Sequence, residues 1–420
     1  MTGAVRAVEN AAMRSAQSLG ALLALATSAF CYVATETLPI GLLSLISDDL
    51  DVSLASTGLL VTGYAVTVAV VTFPLTYATR RVPRRRLMAT LLAILVVATL
   101  ASAAAGDYSV LLAARVVVAL TQALFWAVVS PIVTAMFDVR VRGRVGSVVF
   151  AGASLGPMLG VPAGTWIGQH FGWRAAFVAL AGMALAAFAA LLLLMPDVVV
   201  DETHAATGTS PDARRYAIVV VATTLSVAGL YTSFTYTEVF LTDVAGFAAA
   251  ALGPLLLFRG VADFAGIAAG GVGTDRWQRG TLIGSMLVLA LALLGMYAAT
   301  DSRPATALLL AATGFGIGAL TPALQNRVME VAPGSTDMAS AGNSVAFNVG
   351  IAAGSLIGAG VLSGAGARAT PLAGGLLVVA AVTVLLAEPL LARPVRRDGG
   401  GPPATATLED RRGRGGLPYA

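Results

Sequence analysis

The chain has 420 residues, of which 57% are hydrophobic and only 11% charged, with a formal net charge of +4. A soluble domain of this length cannot hide so many apolar side chains, so the composition excludes a free globular protein and implies one that lives in lipid. The positive charge calls for no nucleic-acid partner, because every basic residue is an arginine and the arginines gather at every second loop, as the positive-inside bias requires.

About twenty apolar residues cross the hydrocarbon as a helix. Twelve such stretches are predicted, at 18–46, 54–78, 87–105, 109–136, 145–169, 173–195, 216–242, 248–273, 281–300, 304–329, 338–363 and 370–392. Residues 1–17 precede them as a cytoplasmic leader. The first stretch is too long for the apolar part of a signal peptide and is expected to persist as a helix. It contains the single cysteine, Cys31, which excludes a disulfide within the chain. Tyr32 stands one turn before Glu36 there, and a carboxylate at membrane depth demands a partner.

The fourth stretch supplies one in Arg115, at a similar depth. Gln122, Trp126 and Ser130 follow on the same helical face, and a polar and aromatic face of that kind lines a cavity rather than lipid. Glu36 with Arg115 has three readings. It is a proton-coupling pair whose proton affinity changes as Arg115 moves, a static ion pair pinning two helices, or a direct contact for a cationic substrate; coupling is favoured.

In the fifth stretch Gly152, Gly156, Gly160 and Gly164 recur every four residues, a groove down one helix face where two backbones can touch. Pro157 and Pro162 interrupt the hydrogen bonding of the same helix, so a bend is expected, either for packing or as part of a moving element. The polar interval 196–215 then divides the chain into six-helix halves, 18–195 and 216–392. His204 there reads as solvated, and His170 is expected in a loop.

In the second half Tyr231, Thr235 and Glu238 share a face, with Glu238 expected at the interface and partly hydrated. Arg259 and Asp263 are four apart and are expected to pair. Asn343 and Asn348 flank Phe347 and offer hydrogen bonds to a substrate or across helices. Residues 393–420 read as a disordered cytoplasmic tail.

The halves repeat. An offset of 198 places Gly152, Gly156 and Gly160 on Gly350, Gly354 and Gly358, and an offset of 202 places Glu36 on Glu238. Two bundles related by a pseudo-twofold along the membrane normal would hold a site between them near the midplane.

Gly271-Val-Gly-Thr-Asp275-Arg276-Trp-Gln-Arg279 resembles the G-x-x-x-D-R-x-x-R loop of the major facilitator superfamily. The counterpart after the second stretch, Arg80 to Arg86, has Arg80 for the usual Asp and Pro83 for glycine. Thr35-Glu36-Thr-Leu-Pro39-Ile-Gly41, Arg115 with Gln122, Gly156-Pro157-x-x-Gly160 and Gly172-Trp173-Arg174 resemble the twelve-span drug:proton antiporter branch. That branch includes arabinose-, nucleoside- and chloramphenicol-efflux permeases. The resemblance implies an all-α integral membrane fold of twelve helices in two six-helix bundles. It further implies a gate at Asp275, Arg276 and Arg279, and export of a small organic molecule in exchange for protons. The arginine-bearing loops predict that both termini are cytoplasmic, and the arginine-only, alanine-rich composition suggests a GC-rich bacterium and hence its cytoplasmic membrane.

Proton-coupled import or facilitated passage of a sugar or nucleoside is the alternative within transport; a transport-dead sensor or scaffold is the alternative outside it. The chain contains no lysine, which excludes a G-x-x-x-x-G-K-[ST] nucleotide site, and it shows no cluster of metal ligands. Neither a cofactor nor an enzymatic activity is expected. The partners expected are a small-molecule substrate, protons and membrane lipid.

Overall fold

A computed structural model gives the structure of this chain and describes residues 2–79, 81–137, 142–196, 209–334 and 336–391. Arg80, Arg140, His204 and Arg393 to Arg414 lie outside the described residues, as do the side chains of Arg6, Arg14, Ser130, Arg142 and Arg144.

The first half runs through α1 (Thr2–Thr37), a 3-10 turn (Leu38–Gly41), α2 (Leu43–Asp49), α3 (Leu54–Thr79), α4 (Arg84–Ala103) and α5 (Tyr108–Met136). It continues through α6 (Arg142–Leu155), a π-helical turn (Gly156–Gly160), α7 (Val161–Phe171) and α8 (Trp173–Leu194). The second half comprises α9 (Ala213–Phe234), α10 (Thr237–Val239), α11 (Leu252–Ala298), α12 (Arg303–Glu330), α13 (Thr336–Ala365), α14 (Ala369–Leu386) and α15 (Glu388–Leu391). The described residues contain no strand.

Among the described residues eleven stretches are long and apolar enough to cross a membrane, one of them 50 residues long, at Ala249–Ala298. That is too much for a single crossing. It divides at Trp277, whose φ of −153° and ψ of 72° interrupt the helix, so the described residues hold twelve stretches able to cross a membrane, in two sets of six. The G-x-x-x-D-R segment read as a loop is therefore helical up to this break. His170 likewise closes the last turn of α7, because the helix runs on to Gly172, whose φ of 84° ends it.

One end of the molecule carries Arg81, Arg84, Arg85, Arg86, Arg214, Arg215, Arg276 and Arg279, and the other carries Asp48, Asp49, Asp51, Asp107, Asp243 and Asp301. They are called the arginine end and the aspartate end below.

The glycine groove packs on α1. A Cβ at Gly152 would strike the Ala26 carbonyl, and one at Gly156 would sit 3.0 Å from the Ala34 nitrogen and 3.2 Å from the Phe30 carbonyl. In the second half α13 lies on α9 in the same way, Gly354 against the Ala228 carbonyl and Gly358 with 2.5 Å to that of Thr232. Ala26 and Ala228, like Phe30 and Thr232, are 202 apart, and so are Gly152 and Gly354. The structural repeat therefore has the offset that relates Glu36 to Glu238. The offset of 198 read from the glycines is one helical turn out, because a pattern with a period of four matches itself after each turn.

The π-helical turn follows from the prolines. Pro157 has no N–H for the Ala153 carbonyl and Pro162 none for that of Met158, so the helix widens between them. The turn leans on the other half, where a Cβ at Gly260 would come within 2.6 Å of the Met158 Cα. Ile40, Val61, Ala65 and Val161 of the first half are buried in one core with Leu256, Ile317 and Leu320 of the second. Val70, Val97, Leu193 and Leu291 are largely exposed, as lipid-facing side chains would be.

Candidate transport site

Arg115 is fully buried on α5. Its Nη1 donates to the Thr35 carbonyl and its Nη2 to the Glu36 carbonyl, each at 2.9 Å. The sequence of α1 provides these acceptors. Pro39 has no N–H for the Thr35 carbonyl four residues before it, and the last carbonyls of any helix lack partners. A cation at a helix C-terminus also meets the negative end of the macrodipole. Tyr64 of α3 offers its ring to the guanidinium at 5.1 Å, while the Arg115 Nε has no partner.

The expected ion pair with Glu36 is therefore not formed: among the described residues the two side chains make no contact within 4.0 Å. With the guanidinium committed to backbone, the buried carboxylate of Glu36 instead accepts from Gln122 Nε2 at 2.7 Å. Gln122 Oε1 in turn accepts from the Tyr64 hydroxyl at 2.6 Å. A chain of donors from α3 through α5 thus ends on a titratable group of α1. Tyr64 was not anticipated; a tyrosine near the middle of a span whose other polar residues are small hydroxyls was the signal available.

Other expected residues fall elsewhere. Tyr32 is fully buried in the core of the first half, its hydroxyl donating to the Leu91 carbonyl at 3.2 Å and its ring 4.8 Å from Phe125. Trp126 stacks on Phe150 at 5.8 Å.

In the second half Arg259 and Asp263 share a face of α11 but make no ion pair. The Arg259 guanidinium lies 3.8 Å from the ring centre of Phe234, a cation–π contact that replaces it. Tyr231 packs edge-on against Phe234 at 5.8 Å.

Thr235 is fully buried and its hydroxyl lacks a partner. Asn343 belongs to an internal network, accepting from Thr223 at 3.1 Å and donating to Gln325 at 3.2 Å. Asn348 donates to the Ser344 carbonyl, its Oδ1 is unpartnered, and Phe347 packs on the core of the second half. Glu238 is buried rather than partly hydrated, and its Oε2 accepts from the Leu43 and Ser44 amides of the first half at 2.6 and 3.3 Å.

At the arginine end Asp275 and Arg276 are exposed, and among the described residues neither forms an ion pair. A Cβ at Gly271 would meet nothing. At the aspartate end the Gly172-Trp173-Arg174 segment clamps the last residue of α2, since Arg174 and Trp173 both donate to Asp49, at 2.5 and 3.1 Å. The Arg174 hydrogen bond holds the Asp49 carboxyl below the usual carboxylate range. Further hydrogen bonds join the halves at this end, from Ser355 Oγ to the Gly58 carbonyl at 2.9 Å and from Gln169 Nε2 to the Ala249 carbonyl at 2.7 Å.

Two repeated six-helix bundles meeting over a buried, titratable centre define a polytopic transporter rather than an enzyme. The chain belongs to the Major Facilitator Superfamily, whose family model matches residues 25–335 and 260–415. A chloramphenicol efflux pump of Mycobacterium tuberculosis H37Rv is 34% identical over 391 residues, 90% of this chain and 95% of that one. An uncharacterized major-facilitator-type transporter of Bacillus subtilis is 33% identical over 377 residues, 87% and 94% of the two chains. The fold matches that of a bacterial homologue of the human lysosomal transporter Spinster, solved inward-facing and unoccupied, with a TM-score of 0.70, 16% identity and coverage of 90% and 98%. It also matches the human organic anion transporter MFSD10, with a TM-score of 0.63, 17% identity and coverage of 89% and 99%.

Proposed function

We propose that this chain exports a small organic molecule from the cytoplasm in exchange for protons by alternating access, with Glu36 as the proton carrier. The observation that carries this reading is the buried Glu36 carboxylate, held by the neutral Gln122 amide while the nearby cation, Arg115, is spent on backbone carbonyls. A carboxylate locked in an ion pair exchanges its proton reluctantly. One that rests on an amide can take up and release a proton as its access to water alternates.

Export rather than uptake is supported by the efflux pumps among its relatives, and chloramphenicol is the first substrate to test. The contacts at the aspartate end fit a state closed there, and the opposite, arginine end is read as cytoplasmic together with residues 1–17, 196–215 and 393–420.

The test is chloramphenicol uptake into everted vesicles carrying the wild-type chain or Glu36→Gln, with and without an imposed proton gradient. Wild type should accumulate the drug only with the gradient, and E36Q should lose at least about tenfold of that accumulation while keeping downhill exchange. Gradient-driven accumulation by E36Q equal to wild type removes Glu36 as carrier, and gradient-independent flux by wild type makes the protein a facilitator.

A further inference from the structure

The two halves are held at the aspartate end by a carboxylate that the transport site does not use. Glu238 is 7% exposed and lies 202 residues after Glu36, at the equivalent place in the repeat, yet its surroundings differ. Where Glu36 meets a side-chain amide of its own half, Glu238 reaches across and accepts from the backbone N–H groups of Leu43 and Ser44. These two amides open α2, the first N–H groups of a helix have no acceptor within it, and the preceding Leu42 offers no capping side chain. The second half therefore completes the hydrogen bonding of the first.

The bond sits in a dry seam. Leu43, Tyr236, Val239 and Ala359 are buried in one apolar cluster drawn from both halves. Tyr236 donates to the Ser355 carbonyl while Ser355 donates to that of Gly58, a second thread across the same seam. Opening this end must pull Glu238 away from two amides at once, leaving both N–H groups without their acceptor.

We infer that Glu238 is the clasp of the aspartate-end gate, a positioning residue that sets how often the transporter opens on that side, and not a second proton carrier. The inference rests on the alternating-access reading. Glu238→Ala leaves the Leu43 and Ser44 amides without acceptors whenever the gate is shut. The open population should therefore rise about tenfold. Glu238→Gln keeps one acceptor oxygen and should restore most of the closed population.

The measurement is pulsed electron–electron resonance on the full chain in lipid nanodiscs, in a Cys31→Ala background. One label pair spans the aspartate end (Ser53→Cys with Ser363→Cys) and one the arginine end (Val82→Cys with Gly334→Cys). The expected result is a longer aspartate-end distance in E238A, a reciprocal shortening at the arginine end, and near wild-type distances in E238Q. An E238A distribution identical to wild type, or E238Q as open as E238A, overturns the clasp. Should E238A not accumulate, Glu238→Met, of similar length and without an acceptor, takes its place in the same measurement, with a longer aspartate-end distance expected and a distribution identical to wild type overturning the inference. Failure of alternating access itself looks different: neither pair would then change distance in any variant or with added drug.

Discussion

Pro39 sets the role of Arg115. Without a proline there, the residue-39 amide would satisfy the Thr35 carbonyl within α1, and the guanidinium would have one fewer backbone acceptor. A double-mutant cycle follows. Arg115→Ala orphans the Thr35 and Glu36 carbonyls at about 1–3 kcal/mol each, and in a Pro39→Ala background the Thr35 carbonyl regains an N–H. The cost of Arg115→Ala should then fall by about 1 kcal/mol, read as detergent-solubilised unfolding of the four proteins. Strict additivity would mean that the proline and the arginine act independently. Types and depths of the buried groups were legible in the sequence, since Glu36, Arg115, Gln122, Arg259 and Asp263 all announce themselves inside apolar runs. Their partners were not. Sequence spacing pairs opposite charges, whereas the folded chain offers Arg115 two backbone carbonyls and Arg259 an aromatic face, neither of which a pattern of side chains reveals.

Helices are positioned by where a Cβ has no room. Gly152 lies against the Ala26 carbonyl, while Gly146, on the same α6, has nothing within 4 Å of an added Cβ. Gly152→Ala must push α6 off α1, and overpacking of this kind costs about 1–3 kcal/mol; Gly146→Ala should be neutral or slightly stabilising, because alanine is the better helix former. Thermal unfolding of the two single variants checks this, and equal melting temperatures would deny a close α1–α6 contact. Gly354→Ala should repeat the effect in the second half, where the Ala228 carbonyl occupies the same place. Composition and apolar run length were enough to locate the twelve crossings. They did not give the local departures from helix, namely the π-helical turn between Pro157 and Pro162, the break at Trp277 and the 3-10 turn after Thr37, because those depend on which carbonyls find other donors.

The whole molecule is polarised along the membrane normal, most arginines at one end and most loop aspartates at the other, with Arg174 at the aspartate end and Asp275 at the arginine end among the exceptions. Arginine-bearing loops stay on the side of synthesis because moving guanidinium groups across lipid is opposed, whereas aspartates contribute little to orientation. This fixes how the closed gate is read. Glu238, Ser355 and Gln169 tie the halves at the aspartate end, so if that end faces outward, the state seen is closed to the outside, and if it faced inward, the same contacts would close the cytoplasmic side. Orientation therefore decides which side of the membrane these contacts seal, and not the direction of transport, because importers and exporters alike pass through both states. A phosphatase that is active only outside the cytoplasm should be active when fused within 42–53 or 299–302 and silent within 196–215 or after residue 391. Activity at the central interval would reverse the polarity and make the aspartate-end closure a cytoplasmic one. The paired check is a membrane-impermeant thiol reagent on intact cells, which should label Ser53→Cys in the Cys31→Ala background and spare Gly334→Cys.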